Sequence, residues 1–196
     1  IGSISETGCK VFILHARKAW LTGISPKENR ELPPLDYERV YQVKNDFPHL
    51  SIILNGGIAN MEDASVHLRK TDGVMMGRAA YHNPYVLASV DQLIFGSDRT
   101  IKTREQIADE FTQFVEEELS NGVPLYAMTR HILGLFHGMR NGKRFRRYLT
   151  ENACNANAQI GVLHEAISRV TTAITNEKST RTIKGNDHGS CGHWRL

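Results

Sequence analysis

Between Asn55 and Arg78 the chain reads NGGIANMEDASVHLRKTDGVMMGR. Two glycine-bearing turns, Asn55-Gly56-Gly57 and Gly77-Arg78, each follow directly on a short apolar run, SIIL and GVMM. Glycine lets backbone N–H groups approach an anion closely. Arg78 adds a forked, permanently charged donor that suits phosphate. One glycine pair alone reads as a tight turn. Two matching exits one strand–helix unit apart, the second carrying an arginine, point to a phosphate site. A substrate phosphate and the tail of a flavin mononucleotide both remain open as its ligand. His15 ends a third apolar run, KVFIL, and is expected to share that rim as a cofactor contact. Imidazole can donate to ligand oxygens without a fixed charge.

Two further groups of residues point to a polyanion. Arg17, Lys18, Lys27 and Arg30 surround Trp20 in one long polar stretch. Cations interleaved with an aromatic suit a nucleic-acid backbone and a stacked base. A solvated loop whose charges pair with Glu28 and Glu31 is the competing reading, and composition does not separate the two. The second group is Lys143, Arg144, Arg146 and Arg147, preceded by Arg130, His131 and His137. Lys143, Arg146 and Arg147 are spaced i, i+3 and i+4, so they share a helix face. Acidic residues are scarce from 124 to 150, while Glu116, Glu117 and Glu118 cluster just before. That segregation favours a surface that meets a polyanion.

Other chemistries find little support. His188, Cys191 and His193 near the end are too few for a zinc site, so no metal is expected. No Ser/His/Asp hydrolase pattern stands out. The three cysteines, Cys9, Cys154 and Cys191, lie far apart with no CxxC pair. This argues against a disulfide framework and for a reducing, cytoplasmic setting. Cys9 starts a strand, away from the exits, and reads as structural.

The elements that position these residues follow from apolar periodicity. KVFIL (10–14), SIIL (51–54) and GVMM (73–76) read as strands. Residues 37–47 and 61–70 read as helices, capped by Asp36 and Asn60. Asn83-Pro84 opens a third, carrying Val86, Leu87, Val90 and Ile94. The strands are continuous apolar runs, which predicts a parallel sheet of βαβ units buried on both faces. Three such strands cannot bury their own edges, so residues 1–95 read as a slice of a larger sheet. The polar stretch from Ala16 to Leu35 is too long for a mere connector and is expected to be functional. After Gly96 the composition changes. SDRTIKTRE reads as a linker, and helices are predicted over 104–120, 125–138, 143–151 and 159–174. A helical domain over 96–175 is therefore expected, and the Thr-, Lys- and Gly-rich composition over 176–196 predicts a disordered tail.

With 196 residues, 40% hydrophobic and 23% charged, the chain is ordinary globular material with a formal net charge of +3. The total charge says less about partners than its distribution does. No apolar run reaches the ~18–20 residues of a membrane span, and no basic-then-apolar leader opens the chain. The first residue is Ile1 rather than Met, which leads to the expectation of a piece of a longer protein.

The stretch HARKAWLTGISPKENRELPPLDYERVY, with LNGGI, DGVMMGRAAYHNP and TRHILGLFHG…RRYL, strongly resembles the tRNA-dihydrouridine synthases, subtype A. The likeness runs from about residue 6 to residue 170, and its motifs are long and specific. It implies an α/β fold: the last three or so units of an FMN-binding (β/α)8 TIM barrel, followed by an all-α domain that grips tRNA. It implies reduction of uridine in the tRNA D loop to 5,6-dihydrouridine, with FMN as cofactor and NADPH as reductant. The subtype implies the later D-loop positions. Residue by residue, His15 matches the flavin-contacting histidine. Asn55, Gly56 and Gly57 match the FMN-binding turn, and Gly77 with Arg78 the phosphate turn. Lys27 and Arg30 match tRNA-contacting positions of the barrel loop, and Lys143 and Arg146 those of the helical domain. Arg17 and Lys18 join them as tRNA-binding candidates. The family's catalytic cysteine belongs to an earlier segment, and no cysteine here sits in a matching motif, so no catalytic residue is assigned. The chain is expected to be a monomer that is inactive alone. A flavin barrel acting on a small pyrimidine, and a non-catalytic tRNA-binding remnant, stand as alternatives.

Overall fold

The computed structural model describes residues 1–171. The expected disordered tail over 176–196, and with it His188, Cys191 and His193, lies outside the described residues. The chain divides into two compact units, with the boundary between Ile101 and Lys102, inside the predicted linker.

The first unit opens with a short helix, α1 (Gly2–Ser5), and then alternates strand and helix: β1 (Val11–His15), α2 (Tyr37–Asp46), β2 (Ser51–Asn55), α3 (Met61–Leu68) and β3 (Gly73–Met75). The sheet order is β1-β2-β3 and both pairings are parallel. Asp36 caps α2 by accepting from Arg39 N, and Asn60 caps α3 by accepting from Asp63 N. Beyond β3 the chain forms a short α4 (Arg78–His82), a 3-10 turn (Pro84–Ser89) and α5 (Val90–Leu93).

The core lies between α2, α3 and one face of the sheet. Ile52 and Leu54 are fully buried there with Val40, Leu50, Ile58, Met61 and Ala64. Lys44 Nζ stands 2.8 Å from Asp72 and also donates to the carbonyls of Pro48 and Leu50. Asp72 accepts from Ile52 N at 2.8 Å as well. Those two hydrogen bonds hold its carboxyl below the usual carboxylate range. Together they tie the entrance of β2 to the entrance of β3.

The prediction of burial on both faces is corrected. β1 alternates exposed and half-buried positions. Val11 and Ile13 are 54% and 56% exposed, and Met75 is 42% exposed. The apolar runs therefore have one face packed on helices and one face open. Among the described residues nothing covers the second face or pairs with the outer edges of β1 and β3.

The second unit is helical. α6 (Arg104–Ser120) begins in a capping box made by Thr103 and Gln106. The helix expected over 125–138 is shorter, with α7 spanning Leu125–Thr129. Beyond it, successive i→i+3 bonds such as Ile132 N to Thr129 O and Leu135 N to Ile132 O make a run of turns. Gly138 at φ +77° and Asn141 at φ 62° break the right-handed repeat. α8 (Gly142–Asn152) then packs Phe145 and Leu149 inward, and Phe145 meets Phe136 edge-on at 4.9 Å between ring centres. A final helix, α9, covers 161–171 and buries Leu163, Ala166 and Val170.

Among the described residues no helix is long and apolar enough to cross a membrane. No cluster of three or more His, Cys, Asp or Glu that could hold a metal is present among them.

Candidate functional site

Parallel strands carry their exits to the same end of a sheet, and register decides whether those exits meet. Here they do. His15 pairs with Asn55, and Asn55 pairs with Met75, so the last residues of the three strands form one row. Ala16 N continues the ladder by donating to Asn55 O at 2.7 Å. The chain beyond each exit turns across this row and encloses a cavity of about 380 Å³. His15, Asn55, Gly56, Gly57, Gly77 and Arg78 all line it, with Arg30, Ile58, Ala59, Met75 and Ala79. All six residues expected at a cofactor thus share one space.

The two turns differ in character. Gly56 and Gly57 have φ of +117° and +76°, a conformation that side chains rarely adopt. A Cβ on Gly56 would lie 3.0 Å from the His15 ring, and one on Gly57 would lie 2.6 Å from Leu35 Cδ1 and Tyr37 Oη. Tyr37 donates its hydroxyl to Gly56 O at 3.1 Å, which fixes the peptide between the two glycines. Its ring rests 4.3 Å from that of His67, which is in turn hydrogen-bonded to Tyr41 Oη at 2.6 Å. Gly77, by contrast, has no positive φ, and a Cβ there would meet nothing within 4 Å. The expected likeness of the two exits is therefore one of place rather than of backbone shape.

The electrostatics favour an anion. The His15 pKa is lowered from its ordinary value by desolvation, then by the charges of Arg17 and Arg78, so the ring is neutral near pH 7. Desolvation is the larger cause, and the two arginine charges act in the same direction. Arg78 itself forms an ion pair with Glu31 at 3.0 Å, with the side chains 62% and 47% exposed. Such a surface pair is worth only ~0–1 kcal/mol, so an anion with better geometry can displace it. The N–H groups of Gly57 and Gly77 take no part in the turn and loop hydrogen bonds of the described residues. A phosphate fits this donor set. No cysteine lines the cavity.

The long loop is braced rather than slack. Its ends are joined by a bridge between Arg17 and Leu35 and by Asp36 N donating to Ala16 O at 2.6 Å. Arg17 donates to Glu31 O at 2.9 Å and to Pro33 O. Its Nε is buried without a partner among the described residues. Arg17 is thus turned into the loop it supports, whereas Lys18, Lys27 and Arg30 are exposed. The competing pairing with Glu28 and Glu31 does not occur. Glu28 accepts from Ser25 N at 2.7 Å, and Glu31 holds Arg78.

In the helical unit Lys143 is exposed and Arg146 half-buried on α8. Arg147 also belongs to a second stripe on α8, which has a groove of its own. Arg144, Arg147, Tyr148 and Glu151 face Glu165 and Arg169 of α9 across a cavity of about 570 Å³. The i,i+3,i+4,i+7 spacing of the α8 residues is the signal that reveals it. Two of its arginines are already paired, Arg147 with Glu151 at 2.7 Å and Arg169 with Glu165 at 2.8 Å. Tyr37 was also missed. Its only sequence signal is an aromatic directly after the LD that ends the long loop.

The chain is similar to known proteins over most of its length. The model of the dihydrouridine synthase family matches residues 1–172. A tRNA-dihydrouridine(20/20a) synthase of Vibrio cholerae is 52% identical over 171 residues, covering 87% of this chain and 52% of that protein. Proteins of the same name from Salmonella typhimurium and Escherichia coli K12 are each 53% identical, over 52% and 50% of their lengths. The chain spans about half the length of the curated relatives it matches.

Proposed function

The chain belongs to the dihydrouridine synthase family, and we propose that it supplies the phosphate end of an FMN site and part of the tRNA grip of an enzyme that reduces D-loop uridine to 5,6-dihydrouridine. One observation carries this reading. The aligned exits His15, Asn55 and Met75 open onto a single cavity with Gly56, Gly57, Gly77 and Arg78 on its wall. That the relatives are tRNA-dihydrouridine(20/20a) synthases supports tRNA over a free pyrimidine as substrate.

In this reading residues 1–95 are the last units of a (β/α)8 barrel, and 96–175 form a tRNA-binding helical domain. Phosphate binding after late barrel strands is the common arrangement of that fold. The uncovered apolar face bearing Val11, Ile13 and Met75 would then be barrel lining.

The chemistry a bound flavin supplies is hydride transfer to the uracil ring, with NADPH as reductant. The chain's own residues bind and orient. Gly57 and Gly77 offer N–H donors to the phosphate, and Arg78 exchanges Glu31 for it. Neutral His15 offers a hydrogen bond to flavin oxygens without adding charge. Lys18, Lys27 and Arg30 on the loop, with Lys143 and Arg146 on α8, hold tRNA phosphates. The target base would have to leave its stack to be reached.

Flavin fluorescence titration tests the reading. FMN should bind at least roughly ten-fold more tightly than riboflavin, which lacks the phosphate, because charge-assisted hydrogen bonds are worth ~1.5–3 kcal/mol. Equal affinity for the two, or none for either, would overturn the phosphate site. Failure to retard an unmodified tRNA transcript on a gel would overturn the tRNA assignment.

A further inference from the structure

We propose that Trp20 is a stacking platform for an unpaired base of the bound RNA. The proposal rests on the RNA-binding reading above and adds a residue that the reading does not assign.

Trp20 is 46% exposed and Leu21 next to it is 94% exposed, although the loop that bears them is well braced. The backbone of Trp20 is gripped on both sides by one side chain. Its N–H donates to Asn29 Oδ1 at 2.9 Å, and its carbonyl accepts from Asn29 Nδ2 at 2.6 Å. Asn29 is set in turn by its own N–H on Ser25 O at 2.9 Å. Tryptophan is highly buried on average. Here the hydrogen bonds fix the direction in which the side chain leaves the backbone, and nearly half of the residue remains in water.

The charges around it define the partner. Lys18, Lys27 and Arg30 have no acidic partner among the described residues, because Glu28 is taken by Ser25 and Glu31 by Arg78. Arg30 follows Asn29 directly and lines the strand-exit cavity. The loop therefore offers a planar aromatic among uncompensated cations, at the margin of the cavity. An apolar protein partner has no use for three free cations. A nucleotide uses both, with the phosphate on the cations and the base on the indole. A base within a duplex has no open face, so the occupant is a nucleotide from a single-stranded loop.

The chain holds two tryptophans. In a Trp194→Phe background, indole emission therefore reports Trp20 alone. Titration with a short oligouridylate or an unmodified tRNA transcript should quench that emission to saturation, and a perfect RNA duplex should not. Trp20→Ala should weaken binding roughly ten-fold or more and leave the salt dependence unchanged, because the phosphate contacts remain. Trp20→Phe should retain most of the affinity and Trp20→Leu should not. RNA binding without quenching, undiminished affinity in Trp20→Ala, or a Leu variant equal to Phe would each overturn stacking while leaving the RNA reading in place. Absence of RNA binding by the unaltered chain would remove that reading, and the stacking role with it.

Discussion

Gly56 and His15 approach so closely that a Cβ on Gly56 would sit 3.0 Å from the imidazole, and the ring would have to give way. The glycine is required twice over, by that contact and by its φ of +117°. Gly56→Ala should therefore displace the His15 ring as well as strain the turn. The expected result is a loss of FMN affinity of roughly ten-fold or more, with destabilisation of about 1–3 kcal/mol. Flavin titration and thermal unfolding check the two effects, and a variant that matches the parent in both would contradict this geometry.

Arg78 and Glu31 form a competing pair for any phosphate in the cavity. Arg78→Ala should abolish most of the preference for FMN over riboflavin, by roughly ten-fold or more. Glu31→Gln should act in the opposite sense and tighten FMN binding by a few-fold, since the exposed pair it removes is worth only ~0–1 kcal/mol. Isothermal titration of both variants distinguishes a phosphate ligand from a loop tether. If Arg78 only tethers the loop, both substitutions would weaken binding.

His15 should titrate below its ordinary value of 6.5. The causes are desolvation, then Arg17, then Arg78, and all disfavour the imidazolium. A group whose folded pKa is depressed contributes stability above its unfolded pKa and loses it as pH falls toward the folded one. For His15 that window lies below pH 6.5. NMR titration of the ring should show an upward shift in Arg78→Ala, and an upward shift in the parent when inorganic phosphate binds. An unchanged value in Arg78→Ala would place that arginine's charge away from the site.

In the helical unit, Gly142 carries α8 past the preceding turns. A Cβ there would lie 2.1 Å from Phe136 O, a clash with backbone rather than with a side chain that can swing away. Gly142→Ala should destabilise by about 1–3 kcal/mol, read as a fall in Tm. The same substitution at Gly161, where a Cβ meets nothing within 4 Å, should be nearly silent.

The strand exits were legible because each apolar run ends at a polar residue or a glycine. Parallel pairing then brings His15, Asn55 and Met75 into one row. The cap residues Asp36 and Asn60 and the full span of α6 were legible for a similar, local reason. What composition could not show was long-range. Glu31 meets Arg78 across 47 positions, and Arg17 turns inward to carbonyls 14 and 16 residues on. The helix predicted over 125–138 failed because apolar spacing continues through Gly134 and Gly138 while the backbone does not. The strands' second face misled for another reason. A continuous apolar run says that both sides need cover, but not that this stretch of chain provides it.

That uncovered face restricts how the sheet can be extended. A parallel neighbour cannot arrive through a tight hairpin, because its connection must run back along the whole strand. A parallel strand joined to β1 or β3 through the chain itself therefore comes with a long crossover, usually a helix, and presents alternate side chains toward the face that bears Val11, Ile13 and Met75. Each such addition lays a helix beside its strand, so the sheet and its outer layer grow together.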